Sequence, residues 1–312
     1  MTAIHRIGID ENGLGSRLGP LVVTAVLARV DEAGGRALER RVPKRLRTAV
    51  DDSKRLVSHT DATLGEAWAR ELGAQDASDP YELFERISLE GSKKLREPCP
   101  REAEAQCWRG EHGAFEASAA QLRRVARHRT LLSRRGIELV SVRTSVVCTE
   151  RLNVARRAGR NRFVMDLHAM ERLVIELRRE VGSNVHAVCG KVGGMGEYSK
   201  FFGPLAGHLH AIIDEGKRKS AYRFPGLGDL VFLRDADATD ALVMLASLVG
   251  KYVRELFMSR IAAHYPGASD DPRPSGYHDP VTAAFVERTA LVRQNRRVPA
   301  TCFERERDAQ EA

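Results

Sequence analysis

The chain has 312 residues, of which 43% are hydrophobic and 29% are charged. This length and composition suit one large domain or two modest ones, and they exclude a disordered chain. No stretch approaches the roughly 18 consecutive apolar residues of a membrane helix. Residues 1–13 also lack the apolar segment of a signal peptide. We therefore expect no membrane association and no cleaved leader.

Charge and cysteine usage narrow the class of partner and the compartment. Lys and Arg number 50 against 42 Asp and Glu, a net charge of +8. That excess favours an anionic partner, with nucleic acid the first candidate. The five cysteines are widely spaced and include no C-x-x-C pair. This pattern predicts neither a zinc ribbon nor a disulfide framework, and it favours a reducing cytoplasm.

The first predicted elements are two strands joined by an acidic, glycine-rich turn. Residues 4–9 alternate and end in Asp10-Glu11, and residues 21–30 are rich in β-branched side chains. Gly13 and Gly15 lie between the strands and permit the bend. Adjacent carboxylates at a strand end suit a hard divalent cation such as Mg²⁺. A solvated acidic turn is the alternative interpretation.

Helical patterns follow the hairpin. Residues 36–48 are basic and compatible with a helix, and residues 58–72 have apolar side chains at helical spacing. Between them lies Asp51-Asp52-Ser53-Lys54. This segment predicts either an N-cap for the next helix or a lysine directed at a phosphate.

A change of composition divides the chain into two parts. Residues 73–113 are polar and interrupted by prolines, and residues 114–135 predict a basic helix that ends before Gly136. We therefore predict an insertion over 73–135, polar at first and then a basic helix. The main domain would comprise residues 1–72 and 136–312.

The second half mixes strands and helices. This order is typical of an α/β sheet packed by helices. The predicted strands are residues 137–147, 184–188, 209–213 and 229–237, and the predicted helices are residues 163–181 and 241–262.

Two further segments carry candidate functional residues. Asp235 and Asp237, two apart on a predicted strand, would share a face and point toward the same metal as Asp10. Asp240 would cap the helix that follows. Tyr277 lies in a loop bounded by Gly and Pro, where it would stack on a base or sugar, or alternatively pack within the turn.

Taken in order, these segments resemble ribonuclease HII, the type 2 ribonuclease H family. The family opens with Asp-Glu-x-Gly-Arg-Gly and then Gly-Pro, and residues 8–20 read GIDENGLGSRLGP. Its Asp-Ser-Lys followed by Lys/Arg-Leu is similar to DSKRL at 52–56. Its Lys-Gly/Ala-Asp and Ser-Ile-x-Ala-Lys runs are similar to residues 235–237 and 247–251. Its Gly-Tyr-Pro-x-Asp-Pro is similar to GYHDP at 276–280.

The resemblance covers most of the chain except 73–135. It implies an RNase H-like mixed sheet flanked by helices, with a helical C-terminal part and an inserted subdomain. It also implies a metal-dependent endonuclease that cleaves RNA in RNA/DNA hybrids or at ribonucleotides in duplex DNA. Asp10, Glu11 and Asp237 would hold Mg²⁺ or Mn²⁺ for two-metal-ion hydrolysis.

The resemblance implies substrate contacts as well. The backbone at Gly13 and Gly15 would lie against the scissile ribose, whose 2′-hydroxyl distinguishes RNA from DNA. Tyr277 would stack under the sugar. Ser53 and Lys54 would complete the substrate-binding residues.

Two departures from the family pattern affect this interpretation. The family's third carboxylate follows a strand, and we place Cys189 at that position, although a neutral thiol is a poor ligand for Mg²⁺. Leu14 replaces an arginine. Asp235 could supply the missing charge as a catalytic residue, or Lys191 could replace one metal's charge near the phosphate. A zinc site formed by Cys189 matches no known ligand spacing, which favours a buried thiol.

The predicted function is therefore a ribonuclease H-type endonuclease acting as a cytoplasmic monomer on nucleic acid. The alternative is a catalytically impaired relative that binds hybrid or duplex through basic segments at 121–135, 153–162 and 217–223. Such binding would weaken steeply with salt. A nuclease acting on structured DNA is a third possibility that no motif selects.

Overall fold

The computed structural model describes residues 3–103, 105–107, 113–193, 195–265 and 272–306. Within these ranges, seven strands form one sheet in the order β3-β2-β1-β4-β7-β6-β5. Their bounds are β1 Ile4–Asn12, β2 Leu21–Val30, β3 Ile137–Val147, β4 Val185–Gly190, β5 Ala211–Glu215, β6 Lys219–Phe224 and β7 Gly228–Leu233.

The sheet is mixed, as predicted. Strand β1 is antiparallel to β2 and parallel to β4, and β4 is parallel to β7. The outer pairs β2–β3, β6–β7 and β5–β6 are antiparallel. The carboxyl ends of β1, β4 and β7 therefore meet at one edge of the sheet, which is where ligands bind in open α/β sheets.

Thirteen α-helices surround this sheet in the described ranges, with a short 3₁₀ turn at Ser199–Phe201. They are α1 Glu32–Leu38, α2 Ser53–Leu56, α3 Thr63–Gly73, α4 Pro80–Ile87, α5 Gly91–Arg96, α6 Ala119–Ser133, α7 Thr149–Arg157, α8 Arg162–Val181, α9 Ala236–Thr239, α10 Ala241–Ala263, α11 Pro280–Arg288, α12 Ala290–Asn295 and α13 Ala300–Phe303. No helix in the described part of the chain is long and apolar enough to span a membrane.

The two longest helices cover opposite faces of the sheet. Helix α10 packs with Val22 and Val26 of β2, whereas α8 packs with Ile7 and Ile9 of β1. Gly8, which faces the other way from these isoleucines, lets α10 approach closely, because an added Cβ would lie 2.3 Å from the Leu242 backbone carbon. Side chains alternate along a strand. Asp10 therefore shares the α10 face with Gly8.

Residues 73–135 are packed into the main core. Phe84, Leu95, Val125 and Leu132 belong to the same buried cluster as α10 and β2. Two helices, α4 and α5, lie in the segment where the sequence pattern fades. That this segment is an insertion relative to other proteins stays a prediction.

Several element boundaries differ from the prediction. The helix predicted over 36–48 ends at Leu38 and gives way to turns. The strand predicted over 229–237 ends at Leu233. Strand β3, helix α8 and helix α10 agree with the predicted segments within one or two residues. The C-terminal part is helical, as predicted, and its helices share a small second core with Leu18 and the end of α10.

Candidate active site

Two predicted carboxylates lie at the carboxyl end of β1. Asp10 is 8% exposed and Glu11 is half-buried. Burial raises the pKa of Asp10 well above its ordinary value, and the neighbouring Glu11 charge raises it further. A hydrogen bond with Ser247 of α10 opposes this shift. Two desolvated like charges side by side are unfavourable unless a cation compensates them.

A third carboxylate, which the sequence analysis missed, belongs to Asp166 on α8. Its side chain is fully buried, and neither oxygen has a hydrogen-bond partner among the described residues. Burial raises the pKa of Asp166, and the charge of Asp10 raises it further. The pKa of Glu11 is also raised, first by burial and then by the charge of Asp166. The available signal was an acid on the apolar face of an amphipathic helix, four residues before Met170.

We predicted Cys189 at the position of a β4 carboxylate, but the β4 residue that lies beside Asp10 and Glu11 is Gly190. Cys189 lies opposite Ile9 in the parallel register and is fully buried in the apolar cluster beneath α8. A Cβ added to Gly190 would lie 3.2 Å from Asp10 Oδ1 and 3.4 Å from Glu11 Oε2. Because side chains alternate along a strand, Gly190 shares the face of Asp10, and it has no side chain.

Asp237 joins the cluster, and Asp235 does not. Asp237 lies on α9, and its Oδ2 is 3.7 Å from Lys54 Nζ. Burial is the largest cause of the raised pKa values of Asp10 and Glu11, and the charge of Asp237 raises both further. The shared strand face expected for Asp235 is wrong, because β7 ends at Leu233. Asp235 adopts a left-handed φ of 57° as the N-cap of α9, and its side chain, 72% exposed, lies 3.7 Å from Arg234.

Lys191, predicted as a possible replacement for one metal's charge, is engaged in hydrogen bonds to other segments. Its Nζ donates hydrogen bonds to the Gly216 carbonyl and, at 3.0 Å, to the Ser220 hydroxyl. These bonds hold the ammonium between β4 and β6. By contrast, Asp240 caps α10 as predicted, because its Oδ1 accepts from the backbone N–H of Leu242 at 2.8 Å and of Val243 at 3.2 Å.

We name Asp10, Glu11, Asp166 and Asp237 the acidic cluster. It lies at a cleft of about 710 Å³, with Asp166 buried behind the cleft wall. All the predicted substrate-binding residues other than Lys191 line this cleft: Gly13, Gly15, Ser53, Lys54 and Tyr277. Two further cationic side chains, Lys251 and Arg254, also line it.

Arginines from the C-terminal half support the glycine-rich turn. Arg305 donates to the Gly13 carbonyl at 2.6 Å and to the Leu14 carbonyl at 3.1 Å. Arg254 is 1% exposed, and its guanidinium lies 4.5 Å from the centre of the Tyr277 ring. Positive charge therefore lies beside the turn although position 14 is a leucine. Sequence spacing gave no signal for this arrangement, since the arginines are more than 200 residues away.

The donor atoms of the acidic cluster suit a divalent metal. Carboxylate oxygens are the ligands that Mg²⁺ and Mn²⁺ prefer. Among the described residues, no group of three or more His, Cys, Asp or Glu side chains already has the arrangement of a metal site. The unpartnered oxygens of Asp166 and the mutual repulsion at Asp10 and Glu11 are nevertheless conditions that a bound cation relieves.

The chain is similar to solved structures of ribonucleases H. The chain aligns with Bst-RNase HIII, solved in complex with Mn²⁺, with a TM-score of 0.50, 14% identity and coverage of 99% of this chain and 68% of that one. It also aligns with Archaeoglobus fulgidus RNase HII from a PCNA complex (TM-score 0.44, 16% identity, 99% and 100% coverage). A third match is Pyrococcus horikoshii ribonuclease H2 (TM-score 0.38, 14% identity, 96% and 95% coverage).

The chain therefore has the RNase H-like fold of the type 2 ribonucleases H. No family model and no curated protein sequence matches it. At this level of identity the comparisons establish the fold, and the chemistry has to be argued from the acidic cluster and its cleft.

Proposed function

We propose that this protein is a metal-dependent endonuclease that cleaves RNA in RNA/DNA hybrids or at ribonucleotides in duplex DNA. The observation that carries the proposal is the acidic cluster, which gathers carboxylates from β1, α8 and α9 at one cleft. The fold is similar to that of a ribonuclease HIII, which favours a nuclease. Because one fold can serve many functions, the proposal depends on the carboxylates at the cleft.

Asp10, Glu11 and Asp237 would hold Mg²⁺ or Mn²⁺. The buried Asp166 of α8 would add negative charge beside them. When bound, such ions activate water and stabilise the leaving oxygen of a phosphodiester. The fold holds the Asp10 carboxylate in position before a metal binds. Asp10 is anchored on β1, the α10 backbone packs directly against Gly8, and Ser247 hydrogen-bonds the Asp10 carboxylate.

The other cleft residues would bind the nucleic acid. The side chain of Lys54 is 78% exposed at the rim, where it can neutralise a phosphate. Tyr277 is 43% exposed and offers a ring face for a sugar or base. The positive φ of 84° at Gly13 turns the backbone at the cleft, where it can approach a ribose 2′-hydroxyl.

We further propose that Asp166 takes over the role of a β4 carboxylate. Gly190 leaves a gap beside Asp10 and Glu11, and Asp166 is charge-coupled to both from the neighbouring helix. The chain thereby keeps four carboxylates around the end of β1, although β4 supplies none.

The test is cleavage of a labelled duplex that contains one ribonucleotide, with Mg²⁺ and with Mn²⁺. Replacing outer-shell partners of a metal typically costs 10–100-fold, so losing a direct ligand in Asp10→Asn should reduce cleavage by at least about 100-fold. The matched control is Asp235→Asn, whose exposed side chain lies outside the cluster and which should cleave like wild type. A wild-type protein that leaves the duplex intact with both metals would overturn the proposal.

A second candidate function is binding without cleavage, and the missing side chain at Gly190 favours it. In that case the uncut duplex should still bind. Its affinity should fall steeply between about 50 and 200 mM salt, because contacts to phosphates release counterions. Cleavage and binding assays on the same duplex therefore separate the two candidates.

A further inference from the structure

The C-terminal segment, residues 304–306, lies against the glycine-rich turn that follows β1. Leu18 and Glu304 form an antiparallel bridge, and the backbone N–H of Arg305 donates to the Arg17 carbonyl at 3.0 Å. Arg17 Nε also donates to Glu304 Oε1 at 2.6 Å. Two residues that are 287 positions apart in the sequence are therefore paired directly beside the turn.

A buried side chain fixes the C-terminal segment from its other side. Asn153 of α7 is 1% exposed, and its Nδ2 donates to the carbonyls of Thr301 at 2.7 Å and Glu304 at 2.9 Å. Its Oδ1 accepts from the backbone N–H of Glu306 at 2.9 Å. Because the residues before and after Arg305 are both held, the Arg305 side chain starts from a fixed backbone.

The Arg305 side chain makes four hydrogen bonds within the described part of the chain, all to backbone carbonyls of the turn. Its Nη1 donates to Gly13 at 2.6 Å and to Leu14 at 3.1 Å. Its Nε and Nη2 donate to Gly19 at 3.1 Å and 2.8 Å. A planar guanidinium presents its N–H groups in a rigid fork, so these bonds fix the two ends of the turn relative to each other.

These bonds also set the direction of two backbone N–H groups. In a trans peptide group the N–H points away from the C=O, and the described residues include no cis peptide bond. Because Arg305 holds the carbonyls of Gly13 and Leu14, the N–H groups of Leu14 and Gly15 point to the opposite side of the turn. Neither N–H donates a hydrogen bond to another described residue.

The opposite side of the turn is the cleft. Gly13, Leu14 and Gly15 line the cleft, whereas Arg305 is not among the described residues that line it. Gly15 is exposed, and a Cβ added there would meet no atom within 4 Å. A substrate can therefore reach the two N–H groups from the same cleft that Asp10 lines.

Arg305 also places a positive charge behind the turn. Burial, and to a smaller degree the charge of Arg254, lowers the pKa of Arg305 to about 9, so the guanidinium stays charged at neutral pH. A charged donor makes a stronger hydrogen bond than a neutral one, and hydrogen bonds in a chain polarise one another. The peptide N–H groups of Leu14 and Gly15 are therefore better donors when Arg305 holds the carbonyls of the same peptide groups.

We propose that Arg305 is a positioning residue that holds the turn for recognition of the 2′-hydroxyl of a ribonucleotide. The N–H groups of Leu14 and Gly15 would donate to the 2′-oxygen, which deoxyribose lacks. This inference rests on the proposed function of the cleft. Preference for a ribonucleotide over DNA would then depend on a side chain that lies 292 positions from Gly13 in the sequence.

The experiment compares the binding of two duplexes that differ by a single 2′-hydroxyl. Fluorescence anisotropy with Mg²⁺ in the Asp10→Asn background keeps both duplexes intact. The Asp10→Asn protein should bind the ribonucleotide duplex about 5- to 10-fold more tightly, as expected for one or two hydrogen bonds. Adding Arg305→Ala should make the two duplexes bind equally and leave the affinity for the DNA duplex unchanged. A protein that is merely destabilised would lose affinity for both.

A second variant and a control complete the comparison. Arg305→Lys keeps the charge without the fork, so it should also lose most of the preference, and it serves if Arg305→Ala fails to fold. The matched control is Arg29→Ala, which removes an arginine that is hydrogen-bonded to Glu138 near the other end of β2 and should keep the full preference. Retention of the full preference by either folded Arg305 variant would overturn the inference.

Amide hydrogen exchange in the Asp10→Asn protein requires no change at Arg305. The ribonucleotide duplex should slow exchange at Leu14 and Gly15 more than the DNA duplex does, and equal exchange would overturn the inference. Wild-type cleavage at a ribonucleotide, together with equal binding of both duplexes, would overturn the role of Arg305 alone. An uncut duplex, together with a preference that Arg305→Ala abolishes, would overturn the nuclease alone.

Discussion

The acidic cluster gathers four carboxyl groups, and a second place in the molecule, which we name the cysteine cavity, is lined by the four thiols of Cys99, Cys107, Cys148 and Cys302. Burial raises the pKa of Asp10, Glu11 and Asp166 well above their ordinary values, and neighbouring carboxylates raise them further. Burial also raises the pKa of Cys107 well above its ordinary value, and the neighbouring cysteines raise it further. Carboxylate oxygens are the ligands that Mg²⁺ and Mn²⁺ prefer, whereas neutral thiols are poor ligands for these ions.

The two regions also differ in what surrounds them. The acidic cluster lies at an open cleft of about 710 Å³ with Lys54 and Tyr277 at its margin, whereas the cysteine cavity measures about 20 Å³. A large substrate can enter the first, whereas the second has room only for a group about the size of a water molecule. The comparison therefore places the proposed chemistry at the open cleft.

The largest expected effect concerns the titration of Glu171, a buried carboxyl group on α8. Glu171, on the same helix as Asp166, accepts hydrogen bonds from the backbone N–H groups of Gly203 and Leu205, yet burial raises its pKa from 4.5 to about 7. A raised carboxylate pKa contributes stability below pH 4.5 that is lost as the pH rises through 7. The loss should be about 3 kcal/mol of unfolding free energy.

Urea unfolding of wild type and Glu171→Gln at several pH values checks this expectation. The variant should gain on wild type as the pH rises from 4.5 to 7, the interval between the two pKa values. Parallel stability curves would show that Glu171 keeps an ordinary pKa and that its burial does not favour the protonated form.

The next effect tests which residue replaces the missing β4 carboxylate. Asp166→Asn should weaken Mn²⁺ binding by about 10–100-fold, because it removes charge beside the ligands. Adding Gly190→Asp to that variant should restore part of the affinity, since a side chain at Gly190 would lie beside Asp10 and Glu11. Titration calorimetry with Mn²⁺ measures both changes without requiring activity. Unchanged affinity in Asp166→Asn would remove Asp166 from the cluster.

A smaller effect is expected for the aromatic side chain at the cleft. Tyr277→Ala should weaken binding of the ribonucleotide duplex by about 1–3 kcal/mol, the value of one stacked base. Tyr277→Phe keeps the ring and should bind like wild type, with fluorescence anisotropy as the measurement. If the Phe variant binds as weakly as the Ala variant, the hydroxyl is what matters and stacking is not the contact.

The smallest effect belongs to the cationic margin of the cleft. Lys54→Ala should reduce the slope of log affinity against log salt by about 1, the contribution of one phosphate contact. Lys44→Ala removes an exposed lysine outside the cleft and serves as the control. Equal slopes for both variants would place the nucleic acid elsewhere on the surface.

Local sequence pattern was sufficient for much of the fold and for part of the site. Alternating or helical hydrophobicity predicted β2, β3, α8 and α10 because each pattern reflects burial of one face of one element. Asp10 and Glu11 were recognisable because they are adjacent in the chain and end a strand. The cap at Asp240 was predictable for the same local reason.

Tertiary structure decided what depends on the face a residue presents and on contacts between distant segments. Periodicity could not show that Gly190, and not Cys189, faces Asp10, because a shift of one residue reverses the face of a strand. It could not bring Asp166 of α8 beneath β1, or move Asp235 and Lys191 away from the cluster. The four cysteines span more than 200 residues of sequence. Only the packing of α7 and α13 against the 73–135 segment places them around one cavity, since such contacts leave no local pattern.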